Sequence, residues 1–271
     1  MDLREMSLLR SVKTLIENNG VLFFGLVPAA LTVLAVVCWC GVSLGQSGEE
    51  RLRRAREEKQ EKVEAYFEKA GLSYPPYQLF LRIFKKQKKL EVWARAGRSS
   101  KFKLVKKYDV CKLSGVLGPK RKQGDLQVPE GFYHITGFNP HSKFHLSMRI
   151  NYPNRSDKKL GDKNDPGDDI FIHGDCVTIG CVPIRDGPVK ELYIMALDVK
   201  LQSHTRTHVH IFPCRMDGQE CKKELERLSS ENPLLKKFWS TLRPGYEHFE
   251  KKRVLPDINV GNDGYYEIAG D

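Results

Sequence analysis

The chain has 271 residues and carries 45 Lys and Arg against 34 Asp and Glu, a formal net charge of +11. Its 40% hydrophobic and 10% aromatic content suffices for one good-sized core, which excludes a disordered chain. The positive excess admits an acidic polymer or anionic lipid as partner, but the lysines are spread along the chain rather than gathered on a recognition helix, which argues against nucleic acid.

Residues 1 to 20 are polar, with Arg4, Arg10 and Lys13 ahead of an uncharged apolar run from Val21 to Leu44. A run of about 24 residues crosses a hydrocarbon core of about 30 Å as a helix, so residues 1–46 are predicted as a signal anchor or long signal peptide. Ser43-Leu44-Gly45 offers a small-x-small cleavage site before Gln46, and neither Cys38 nor Cys40 sits in a lipobox. Arg51, Arg53, Arg54 and Arg56 make the downstream flank the more basic one, which by the positive-inside rule keeps the main domain cytoplasmic. Residues 47–75 read as a helical linker with a sparse stripe of Leu52, Val63, Phe67 and Ala70, ended by Gly71 and Pro75-Pro76.

From Tyr77 the pattern turns to strands: YQLFLRIF, LEVWARA and FKLVKKYDV are short β-branched or aromatic runs between Lys-rich or Gly/Ser turns. Residues 115–135 are expected to be a loop, in which Lys120, Lys122 and Tyr133 are candidate contacts for a carboxylate-bearing ligand. Phe144, Leu146, Met148 and Ile150 alternate with polar residues as in a half-buried strand, and residues 154–169 read as a polar surface loop. DIFIH leads into IHGDCVTIGCVPI, Ile172 to Ile184, and Gly187-Pro188 opens a helical pattern of Val189, Leu192, Tyr193, Ala196 and Leu197. THVHIF is a further strand, and residues 217–271 form a helical extension on a 76–216 catalytic domain, with Leu235, Phe238, Trp239, Leu242, Tyr246 and Phe249 facing it.

The Ile172–Ile184 stretch carries the chemistry. A thiol attacks only as thiolate, so it needs a base or a positive helix end nearby. His173, eight residues before Cys181, supplies the base, and the helix after Gly187 supplies N–H groups that favour thiolate and hold an oxyanion. Gly174 and Gly180 let the backbone approach a substrate closely. The plain alternative is that Cys181 is a small buried hydrophobe. If it stays free, Cys111, Cys176, Cys214 and Cys221 pair in three possible ways, or all five are reduced. His204, His208, His210, Cys214 and Cys221 lie close in sequence, and His208 and His210 share a strand face, but the spacing fits no zinc pattern; no metal or cofactor is predicted.

HGDCVTIGCV resembles the signature of the L,D-transpeptidase catalytic domain (YkuD-like): a His-Gly pair, a spacer, then Ser/Thr-x-Gly-Cys, here His173, Gly174, Thr178, Gly180 and Cys181. The short spacer is similar to the YafK-like branch, as are LRIFKKQKKLEVW, LGPKRKQGDLQVPEGFYHI, LSMRINYPN and HVHIFPCRM. The resemblance implies an α+β fold, mainly β with flanking helices, built as a β-sandwich or barrel behind an N-terminal transmembrane or signal helix. It implies an enzyme acting on peptidoglycan stem peptides at the L-centre of meso-diaminopimelate, with Cys181 as nucleophile and His173 as general base and acid. Thr178, Gly174 and the backbone at Gly180 shape the oxyanion pocket. Many family members carry Arg or Asn two residues after the cysteine; this chain has Pro183 there, and Arg185 takes the carboxylate-binding role. The implied place is the bacterial envelope, outside the cytoplasm, and that substrate overrules the basic flank. The competing expectation is a catalytically silent peptidoglycan-binding module.

Overall fold

The structure is a computed structural model and describes residues 47–269. The predicted anchor or signal segment lies outside them; among the described residues no helix is long and apolar enough to cross a membrane.

The first helix, α1 (Gly48–Lys69), starts where the Ser47 side chain accepts the Glu50 N–H at 3.1 Å, with Glu49 and Glu50 in its first turn. A serine cap and early carboxylates satisfy orphan N–H groups and suit the helix dipole. Ala55, Val63 and Phe67 are fully buried, so this helix docks through the stripe read in its sequence. It lies along α3 (Asp186–Ser203), where the Arg56 guanidinium pairs with Asp198, Lys190 with Glu58 at 2.6 Å, and Lys62 with Glu191 at 2.9 Å.

One eight-stranded curled sheet forms the centre, in the order β3-β2-β1-β8-β4-β5-β6-β7. Its strands are β1 (Gln78–Phe84), β2 (Lys89–Arg95), β3 (Lys103–Asp109), β4 (Gly131–Asn139), β5 (Ser147–Ile150), β6 (Phe171–His173), β7 (Val182–Pro183) and β8 (His208–Phe212). Neighbours are antiparallel except β1 with β8 and β6 with β7, which are parallel. All seven residues of β1 are buried, because helices cover both faces of the sheet there. Leu79, Leu81 and Ile83 join the cluster that includes α1 and α3, through Val189, Leu192 and Met195. Phe80 and Phe84 point the other way, toward α5 (Pro233–Lys252) with its buried Phe238, Trp239, Leu242, Tyr246 and Phe249. The fold is thus mainly β with flanking helices, as expected: a curled sheet whose faces are covered by α3 and α5, which carry the apolar stripes that close the core.

Two local readings change. Residues 115–135 are not all loop, since β4 begins at Gly131, and residues 154–169 contain the short helix α2 (Arg155–Leu160). Its signal was present: Asn154 and Asp157 form a reciprocal capping box. The extension consists of α4 (Gln219–Ser229), α5 and the hairpin β9 (Asp257–Val260) with β10 (Tyr266–Ala269). A disulfide joins Cys214, just past β8, to Cys221 on α4, and a second joins Cys111 to Cys176.

Candidate active site

Strand β6 ends at His173, which pairs with Ser147 of β5 on one side and Pro183 of β7 on the other. Ile172 is level with Val182 in the parallel pair, so extending the register by one position sets Cys181 beside Phe171. Period-two alternation then puts Phe171, His173 and Cys181 on one face. On that register the Cα atoms of His173 and Cys181 lie on the order of 8 Å apart.

The loop between them is shaped by three of the predicted residues. Thr178 Oγ1 donates to the Cys181 carbonyl at 2.7 Å and accepts the Gly180 N–H at 3.1 Å, closing the turn that delivers the cysteine. Gly180 has φ +139°, and a Cβ there would lie 3.1 Å from the Gln127 carbonyl oxygen. A Cβ on Gly174 would lie 2.5 Å from Asp186 Oδ1 and 2.7 Å from the Phe144 carbonyl oxygen, so only glycine fits between the motif and its neighbours. Cys176, next to this turn, is bonded to Cys111 beyond the end of β3, with Cα atoms 5.8 Å apart. Cys181 is the free cysteine among the described residues and is partly exposed.

Hydrogen bonds orient both groups. His173 Nδ1 lies 2.6 Å from the Gly174 carbonyl oxygen; Nδ1 therefore carries the proton, and Nε2 keeps its lone pair as a base. The Cys181 sulfur accepts the Phe171 N–H at 3.4 Å and donates to the Asp169 carbonyl at 3.6 Å, the pattern of a thiol. Burial pushes the Cys181 pKa up, against the smaller opposing pull of the Phe171 N–H and of Lys120. Burial also lowers the pKa of His173, against the Gly174 carbonyl and Asp175. The resting pair is neutral thiol and neutral imidazole. Desolvation is the largest cause on both groups, and Val182–Pro183 and Ile184 lie between Cys181 and the start of α3 in the chain.

The remaining predicted residues separate. Arg185 is exposed at the start of α3 with φ +68°, its N–H donating to the Asp175 carbonyl at 3.1 Å. Lys122 is exposed, and its carbonyl accepts Lys120 Nζ at 2.8 Å. Lys120 is close enough to favour the Cys181 thiolate, but its buried ammonium is held by Asp125 at 2.7 Å, which corrects its expected role as a ligand contact. Tyr133 is corrected as well: it is 2% exposed, and its hydroxyl donates to Asp157 at 3.0 Å, inside the fold. Sequence reasoning missed Phe144, whose ring lies 4.8 Å from the imidazole of His173 at 35° and covers it. The alternation of residues 144–150 placed Phe144 in a strand, whereas β5 begins only at Ser147. Asp169 and Phe171 act through backbone atoms, for which side-chain identity gives no signal.

The family model for the L,D-transpeptidase catalytic domain (YkuD) matches residues 78–211. The chain is 33% identical over 189 residues to the protein named "Putative L,D-transpeptidase YafK" in Escherichia coli K12 and, equally, in E. coli O157:H7, covering 69% of this chain and 72% of each relative. Among solved structures it is similar to the helical cell shape determining protein Pgp2 of Campylobacter jejuni, with 16% identity, a TM-score of 0.41, and coverage of 68% of this chain and 73% of that one. Bd1075 of Bdellovibrio bacteriovorus gives 21% identity and a TM-score of 0.38, with coverage of 71% and 82%.

Proposed function

Since the chain belongs to the L,D-transpeptidase catalytic-domain (YkuD) family, whose function is peptidoglycan-related, we propose that it performs cysteine-dependent acyl transfer on peptidoglycan stem peptides. Cys181 attacks the carbonyl at the L-centre of meso-diaminopimelate, its proton passes to His173 Nε2, and the leaving amine takes that proton as it departs. Water or an amine then resolves the thioester, so the outcome is trimming, release or cross-linking. Gly180 and Thr178 hold the turn that presents the sulfur, Gly174 keeps the histidine side of the site open, and the exposed Arg185 is the contact for a substrate carboxylate. The N-terminal segment carries this domain outside the cytoplasm, in the bacterial envelope. The observation that carries the reading is the partly exposed free thiol of Cys181 on the face shared with an imidazole whose Nδ1 is tied to the Gly174 carbonyl.

The test is mass analysis of tripeptide- and tetrapeptide-containing muropeptides after incubation with the protein. New cross-links identify a transpeptidase, loss of a terminal D-residue a carboxypeptidase, and release of an attached protein an amidase. Cys181→Ala removes every product, and His173→Gln slows turnover by about 10²–10⁴-fold. Product formation by Cys181→Ala sinks the proposal; substrate binding by the wild type with no product identifies a silent binding module instead.

A further inference from the structure

Asp186, the first residue of α3, takes no part in the chemistry above, yet a continuous chain of hydrogen bonds joins it to His173. His173 Nδ1 donates to the Gly174 carbonyl oxygen at 2.6 Å. The N–H of the same peptide unit, contributed by Asp175, donates to Asp186 Oδ1 at 2.7 Å. A single amide group therefore stands between the imidazole and a carboxylate: its oxygen accepts from the ring, and its nitrogen donates to the acid.

The surroundings hold that amide in place. A Cβ on Gly174 would lie 2.5 Å from Asp186 Oδ1, so the missing side chain is what lets the carboxylate come this close. Asp175 has φ +56°, a left-handed conformation that a residue other than glycine keeps only when it is held. Both its backbone groups are held, the N–H by Asp186 and the carbonyl by the Arg185 N–H at 3.1 Å. The next residue, Cys176, is tied to Cys111 by the disulfide. Asp186 itself lies in the first turn of α3, where the helix dipole suits a carboxylate.

An amide is conjugated, so a charge that draws on its N–H raises the negative charge on its oxygen. Linked hydrogen bonds strengthen one another in this way by about 10–30% each. A stronger acceptor at Nδ1 stabilises the imidazolium and makes Nε2 the better base. In a Ser-His-Asp triad the carboxylate accepts from Nδ1 directly. Here the amide takes that place, and the carboxylate stands one group behind it.

We propose that Asp186 is a positioning residue that acts on His173 through the Gly174–Asp175 peptide, fixing the ring and raising the basicity of Nε2 toward the Cys181 proton. The link itself rests on the hydrogen bonds alone; its use in catalysis rests on the acyl-transfer reading above. Other charges face the same groups. Asp175 favours the imidazolium of His173. Arg51 of α1 and His141, Lys143 and His145 of the loop before β5 share a cleft with Asp186, and Lys190, one turn along α3, is paired with Glu58. Because Asp186 is exposed, solvent and salt screen it, and the expected effect is modest.

The experiment follows the His173 ring by NMR against pH in full-length protein carrying isotope-labelled histidine, with His173→Gln assigning the signal. Wild type, Asp186→Asn and Asp186→Ala are compared, and acylation by a carbapenem is read by intact mass over the same pH range. Asparagine keeps an acceptor for the Asp175 N–H and loses the charge; alanine loses both. In Asp186→Asn the Nδ1 proton resonance is expected to move upfield and the His173 pKa to fall by about 0.5 of a unit, and further in Asp186→Ala. Acylation is expected to slow about threefold to tenfold, with its acid limb displaced downward along with the pKa. An asparagine variant with the resonance, pKa and rate of the wild type overturns the proposal. Slower acylation with both His173 signatures unchanged also overturns it, since Asp186 is then a structural prop, and so does a lowered pKa with an unmoved Nδ1 resonance, the mark of a charge acting through space. A wild type that is never acylated removes the acyl-transfer reading and the catalytic use together, while the titration still decides the link between Asp186 and His173.

Discussion

At the residue scale, Thr178 is the clearest structural support of Cys181, since one hydroxyl ties both the Gly180 N–H and the Cys181 carbonyl. Thr178→Ala leaves two partly buried backbone groups without this partner, a cost of about 1–3 kcal/mol. The expected outcome is slower acylation by a carbapenem, read by intact mass, with Thr178→Ser close to wild type; equal rates for Ala and Ser dismiss the role. The neutral thiol and imidazole also shape the pH dependence. His173 lies below its ordinary 6.5 and Cys181 above its ordinary 9.0. A reaction that starts from both neutral forms fails in acid only when His173 protonates, below 6.5, and its alkaline change comes only above 9.0. The acylation rate against pH is therefore a broad plateau; an acid limb at or above 6.5 contradicts it. His173, Thr178, Gly180 and Cys181 could be named as candidates from sequence because a reactive side chain, a hydroxyl and a missing Cβ are properties of the residue itself. The Phe144 ring over His173 was not, because it depends on where a loop ends and a strand begins.

At the scale of elements, α1 shows how charge hides docking. Its sequence is dominated by Arg, Glu and Lys, yet Phe67 is fully buried and its ring centroid lies 5.0 Å from that of Tyr74. Phe67→Ala is expected to cost about 3–5 kcal/mol, seen as a lower urea midpoint for the whole protein; an unchanged midpoint means that α1 is not part of the cooperative fold. The Cys111–Cys176 bond spans a sequence separation of 65 residues and anchors the turn beside His173. By chain entropy, closing a loop of that length contributes about 4 kcal/mol, so Cys111→Ser with Cys176→Ser is expected to lower stability by that order and to slow acylation. Denaturation of this double variant with the same midpoint as wild type rejects the first part. Strands β1, β2 and β3 were read within two residues of their observed ends, and helices α3 and α5 were recognised, because apolar periodicity and Pro188 mark them. The short α2 was missed because a six-residue helix offers little periodicity and its Asn154–Asp157 box sits in a stretch rich in turn formers.

Across the whole molecule, the fold depends on polar groups buried in the aromatic layer between the sheet and α5. Arg82 is 1% exposed, paired with Glu250 at 2.7 Å, and lies over the rings of Tyr246 at 4.8 Å and Phe249 at 4.9 Å. His208 and His210 share β8, and burial lowers both, His208 to about 4. Both rings are neutral in the fold. Because their folded pKa values are depressed, the stability they contribute is whole above the ordinary 6.5 and is lost as pH falls toward the folded values. For His208 the window from 6.5 to about 4 corresponds to about 3 kcal/mol, so the urea midpoint is expected to fall between pH 7 and pH 4.5, and less steeply in His208→Gln. Identical slopes in variant and wild type sink this assignment. By itself the sequence determined most strands and helices of the core and the L,D-transpeptidase (YkuD) family of the chain, because periodicity and motif residues are local properties of the chain. Tertiary structure alone decided that one sheet is covered by helices on both faces and that Cys111 pairs with Cys176. It also decided that the resting sulfur is a thiol and that Lys120 and Tyr133 turn inward, since each of these depends on desolvation and on contacts between residues far apart in sequence.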